Sequence, residues 1–205
     1  DAGDDDLRIE SQAGTVHGLA LAYEAFAPKY DNTTIDQASR VVEIHRPDGK
    51  PDLLQQIEHG VLTVAGSYQA LGRFYRGIIT PTLRQYVQVG DFGAQTDNVV
   101  FDPKTAPARP PEVGSGVPGS PDDRWVFTEQ NPRRELSAAA GLAAAARVLR
   151  GYDDALAAEC QRIAEAIWDG TKEPAAPAGQ PGRVRPSPRI QLAVELLATT
   201  KNRRY

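Results

Sequence analysis

Apolar residues recur at Ile9, Ala13, Val16, Ala20, Tyr23 and Phe26, in steps of three and four. That spacing predicts one buried face of a helix from Ile9 to Ala27, which Pro28 stops. A second stripe, Leu54, Ile57, Val61, Val64, Tyr68 and Leu71, predicts a helix starting at Pro51 and capped by Gly72. From Arg134 to Arg150 alanine falls on all sides, which implies close approach to neighbouring helices. Gly151 breaks that helix, and Tyr152, Leu156, Cys160, Ile163 and Ile167 mark the next. So short a joint makes the two an antiparallel hairpin. Ser187 and Pro188 read as the cap and first turn of a last helix, with Ile190, Ala193, Val194 and Leu197 expected to face inward.

The connections read differently. Residues 30–50 are polar, with VVEIH as a short strand and RPDGKP as a turn. Between Arg73 and Pro103 the chain turns β-branched and aromatic, broken by Gly and Pro, as expected of short strands and a long ordered loop. Residues 104–123 and 170–186 are Pro/Gly-rich and read as flexible loops. The sum is an all-α chain of helical hairpins with long loops and a few short strands. In such a scaffold the loops carry the site.

Composition narrows the function. Of 205 residues 40% are hydrophobic and 24% charged, which is ordinary for a soluble globular protein. A net charge of −4 argues against a nucleic-acid partner. No apolar run approaches the roughly 20 residues that span a bilayer, so no membrane partner is expected. No signal-peptide pattern is present, and a chain without methionine points to a residue 1 that is not the natural start. The single cysteine, Cys160, excludes an internal disulfide and reads as a small core residue. His17, His45 and His59 show no metal spacing, so neither metal nor cofactor is expected. Glu135 and Glu165 sit on helical patterns and read as solvated face charges.

The candidate chemistry lies in the first six residues, DAGDDD. As a Ca²⁺ loop they fail, because position three is Gly3, position six Asp6 and position twelve Gln12. A solvated acidic tail is one remaining reading. The other is catalytic: Asp1 and Asp4, with Gly3 between them, can converge on one water and draw its proton. That is the base half of glycoside hydrolysis by inversion, whose acid stands roughly 6.5–9.5 Å away across the substrate.

DAGDDDLRIESQAGTVHGLALAYEAF resembles the start of the catalytic core in glycoside hydrolase family nine, the cellulases built on an α-helical toroid. PDLLQQIEHGVLTVAGSY, QYVQVGDFGAQTDN, ELSAAAGLAAAARVLRGYDDALAAECQRIAEAIWD and RIQLAVELLATTKNRRY resemble further family segments in the same order. The resemblance implies part of an (α/α)6 toroid, with residues 1–205 as the N-terminal half of a catalytic domain. It implies Asp4 as general base and Asp1 as its partner, with Asp5 where the family has Tyr. It implies Asp97 and Asn98 as substrate contacts, although the family's His is absent at the second of these.

By the same resemblance the substrate is a β-1,4-glucan oligosaccharide or polysaccharide, and the enzyme is secreted or periplasmic. The family's general acid, a Glu, is expected beyond Tyr205. None of Glu129, Glu135, Glu165 or Glu195 has the context to replace it, so the chain alone is expected to be inactive. Tyr75, Tyr86, Phe92, Phe101 and Trp125 are candidates for stacking on sugar faces. Two other readings remain: a different enzyme on a related α-hairpin toroid, such as an epimerase or lyase, and a non-catalytic helical interaction module.

Overall fold

The structure, a computed structural model, describes residues 7–36, 38–39, 41–79, 125–172 and 187–205. Among them are five α-helices: α1 (Ile9–Phe26), α2 (Asp52–Leu71), α3 (Pro132–Leu149), α4 (Asp154–Gly170) and α5 (Pro188–Thr200). Residues Ile9–Phe74 and Gln130–Tyr205 form one compact unit that holds all five helices; Asp1–Arg8 and Tyr75–Glu129 form a second.

Ion pairs fix the helix directions in the larger unit. Glu10, in the first turn of α1, meets Arg134 in the first turn of α3 at 3.0 Å. Glu24 near the end of α1 meets Arg147 near the end of α3 at 2.6 Å, so the two helices run parallel. Arg147 also donates to Thr199 at the end of α5, at 3.0 Å, which makes α5 parallel to both. α2 and α4 pack against this layer and run the other way: Phe74, just past α2, reaches Glu135 at the start of α3.

α3 is the central element. Leu136, Leu142, Leu149 and all of its alanines are buried, so small side chains let neighbours pack on every side of it. A Cβ on Gly141 would lie 2.7 Å from the carbonyl oxygen of Ala13, so the α1 backbone touches α3 where that glycine stands. Ile9, Ala13, Val16 and Ala20 of α1, and Leu54, Ile57, Val61 and Val64 of α2, are buried as the spacing predicts. Cys160 is a core residue, and burial pushes its thiol up to about 12.

Helix ends follow local chemistry. Asn131 Oδ1 accepts from the backbone N–H groups of Arg133 and Arg134, so α3 starts two residues earlier than predicted, at Pro132. Asp153 caps α4 and Ser187 caps α5 in the same way. Gly72 closes α2 at φ +66°, and Gly151 makes the α3–α4 joint at φ +81°.

Two expectations fail. The inward face of α5 is not Ile190, Val194 and Leu197, which are 66%, 58% and 42% exposed; Leu192, Glu195, Leu196 and Thr199 are buried instead. The polar pair is buried because α3 supplies Arg147 and the Ala143 carbonyl as partners. Nor is Glu135 a solvated charge, since it is 6% exposed at the start of α3.

The VVEIH strand is found as β3 (Val41–Ile44), paired antiparallel with β2 (Thr33–Asp36), Thr33 opposite Ile44. Its anchor is α2: Asp52 accepts from the N–H groups of Asn32 and Thr33, and Gln55 from that of Ile35. The smaller unit holds β1 (Leu7–Arg8), β4 (Gly77–Ile79) and β5 (Trp125–Phe127) in the order β1-β4-β5, all antiparallel.

Candidate functional site

The helix directions gather several chain segments at one end of the bundle. α1 begins there at Ile9; α2 leaves there through Gly72 and Phe74; α3 enters at Asn131. α4 ends there at Gly170, and α5 starts there at Ser187. Every long connection of the chain except the 27–51 segment therefore departs from this end or returns to it. DAGDDD immediately precedes Leu7, and Asp97 and Asn98 fall between Phe74 and Gln130 in sequence. Asp1, Asp4, Asp97 and Asn98 themselves lie outside the described residues, as do Tyr86, Phe92, Phe101 and the Trp125 ring.

Tyr75 is described, and it is 3% exposed. Burial pushes its hydroxyl up to about 12. Its ring is therefore core and offers no free face to a sugar.

At the same end a cavity of about 290 Å³ opens between the ends of α2, α3 and α4. Tyr68, Arg73, Asn131, Glu135 and Lys172 border it. Both Glu135 oxygens accept from the Phe74 backbone N–H, at 3.3 and 3.1 Å. Burial raises the Glu135 carboxyl above its ordinary value, and the Phe74 N–H with the charges of Arg134 and Arg73 offsets this only in part.

Nearer the opposite end lies a second polar cluster. His17 Nε2 is 2.8 Å from Glu195 Oε1, and the other Glu195 oxygen is 2.7 Å from Arg147. Burial pushes the Glu195 carboxyl up, but hydrogen bonds from His17 and Arg147 outweigh it and hold the carboxyl below its usual range. Each ion has a partner, so the cluster ties α1, α3 and α5 together. A larger cavity, about 610 Å³, lies beside it between Tyr23, Lys50, Arg150 and Tyr152. The Tyr152 hydroxyl is engaged, donating to Glu58 at 2.6 Å.

Sequence reasoning missed both clusters, although a signal was present. A helix with alanine on every side has no solvated face, so Arg134, Glu135 and Arg147 had to be buried and paired. Among the described residues no three His, Cys, Asp or Glu side chains converge as a metal site would require. No described helix is long and apolar enough to cross a membrane.

The described glutamates named as stand-ins for an acid are all engaged. Glu135 holds Phe74 and Glu195 holds Arg147. Glu129 pairs with Arg76 at 3.7 Å, and Glu165 accepts from Gln161 at 3.2 Å.

No curated protein matches the chain. Among solved structures, a single mutant of a thermostable endoglucanase from Alicyclobacillus acidocaldarius aligns with TM-score 0.58 at 18% identity, over 98% of this chain and 34% of that one. A Zn-binding triple mutant of the family 9 endoglucanase J30 aligns with TM-score 0.60 at 18% identity, over 100% of this chain and 35% of that one. The chain thus spans about a third of the length of these structures and shares the fold of that part of an (α/α)6 toroid. The model of glycosyl hydrolase family 9 matches residues 1–191, so the helical hairpins described above are those of a member of that family.

Proposed function

We propose that this chain is the base-bearing portion of a β-1,4-glucan hydrolase that acts by inversion. Asp4 takes the proton of the attacking water, and Asp1 holds that water with it. Asp97 and Asn98 contact the glucan. The general acid is a glutamate outside residues 1–205, so the chain by itself does not turn substrate over. The glucan is a polymer met outside the cytoplasm, and the enzyme is therefore secreted or periplasmic.

One observation carries this reading: the family match begins at residue 1 and so includes DAGDDD. A second supports it. The segments bearing the four proposed residues are joined to the helical bundle at the same end, the end at which α1 starts and α2 stops. The occupied state of the described glutamates agrees with an acid from elsewhere, since each already serves a structural contact. The test is sugar release from cellohexaose by the complete enzyme with and without Asp4→Ala, alongside the 205-residue chain, which should release none.

A further inference from the structure

The short sheet of the smaller unit is tied off at one end. There the Arg76 N–H donates to the Phe127 carbonyl at 2.6 Å, and the Arg76 guanidinium meets Glu129 at 3.7 Å. Tyr75, two residues ahead of Gly77, is buried and roots β4. At the other end the register sets Leu7 opposite Ile78, and Ile79 opposite Trp125. Three stretches of chain therefore leave the sheet side by side: Leu7 toward Asp6, Ile79 toward residue 80, and Trp125 toward residue 124. The first carries Asp1 and Asp4, and the connection between the other two carries Asp97 and Asn98.

The proposed base is on a short tether. Three residues of chain span at most about 11 Å, so Leu7 bounds where Asp4 can stand. β1 is an edge strand of two residues, and β4 is its ladder partner. A slip of one residue along β4 would carry the tether about 3.4 Å and turn its side chains to the other face. A misplacement of about 1 Å can cost about a hundredfold in rate, so a base held this way depends on the register. Gly77 allows the close approach. A Cβ there would touch the Leu7 carbonyl oxygen at 3.4 Å, and a branched side chain would press on it.

We propose that the pairing of β1 with β4 sets the position of the base, so that Leu7, Gly77 and Ile78 are positioning residues for Asp4. They act through the chain and touch no substrate. This deepens the reading of Asp4 as the base and rests on it.

The test uses the complete enzyme and compares four variants in cellohexaose hydrolysis and thermal unfolding. A glycine inserted between Asp6 and Leu7 lengthens the tether and leaves the sheet alone. It should lower kcat at least about 100-fold, with KM within about twofold and the melting midpoint unchanged. Asp6→Gly brings in the same flexible residue at the natural length and should keep kcat within about threefold. Gly77→Val should lower kcat about tenfold with KM held, and Gly77→Ala less than about threefold. Full kcat in the insertion variant, while Asp4→Ala abolishes turnover, overturns the positioning role and leaves the base standing. An insertion that lowers the melting midpoint, or an equal loss in Asp6→Gly, also overturns it, because tether length is then not what matters. Turnover that survives Asp4→Ala rejects the base itself, and the positioning role falls with it.

Discussion

Glu195 and Arg147 meet at 2.7 Å inside the helical bundle, with side chains only 10% and 12% exposed. Their contact joins α5 to α3, and His17 and Glu24 extend it to α1. Removing one partner leaves a buried charge, so Arg147→Met should lower unfolding free energy by about 3 kcal/mol, read from urea denaturation.

The same pair sets an acid limit on stability. The folded Glu195 carboxyl titrates below its ordinary value of 4.5. Its contribution is therefore complete above the unfolded value and lost as pH falls through the depressed folded value. Stability measured between pH 6 and pH 3 should fall less steeply in Glu195→Gln than in the unaltered chain.

Glu135 behaves with the opposite sign. Its folded carboxyl titrates above 4.5, so the group costs stability as pH rises from that value through the folded one. Glu135→Gln keeps an acceptor for the Phe74 N–H and carries no charge, so it should change stability at pH 7 by less than about 1 kcal/mol. Glu135→Leu leaves that N–H unpaired and should cost about 1–3 kcal/mol. Paired urea titrations at pH 4 and pH 7 separate the two variants.

Two glycines test how closely the helices approach. A Cβ at Gly60 would lie 2.5 Å from Val16 Cγ2, a side-chain atom, whereas one at Gly141 would meet the Ala13 backbone oxygen at 2.7 Å. Both alanine variants should lose about 1–3 kcal/mol. Adding Val16→Ala should restore much of the Gly60→Ala loss, with a coupling above about 0.5 kcal/mol in the double-mutant cycle. No side-chain change removes the Ala13 carbonyl, so Gly141→Ala should show no such rescue.

How much of this was legible follows from what each pattern encodes. The α1 and α2 stripes were readable because one apolar face alone fits the period. α5 has two candidate faces, and the apolar one lost. Glu195 and Thr199 turn inward because Arg147 stands opposite, a fact of tertiary pairing that spacing along α5 does not contain. Thr33–Asp36 lies in the polar 30–50 stretch and carries no strand pattern of its own; its pairing depends on Asp52 and Gln55 of α2. The proposed catalytic segment DAGDDD is a local motif that a sequence displays by itself, while the Arg73–Glu135 cavity needs three helix ends to come together and has no local signature.

Asp4, proposed as the base of an inverting β-glucanase, is open to a direct test. The direct measurement is steady-state hydrolysis of cellohexaose by the complete enzyme and its Asp4→Ala variant, with the anomer of fresh product read by ¹H NMR. The expected result is an α-anomeric product and a kcat lowered about 10²–10⁴-fold, with KM nearly unchanged. A β-anomeric product, or turnover that survives Asp4→Ala, would contradict it.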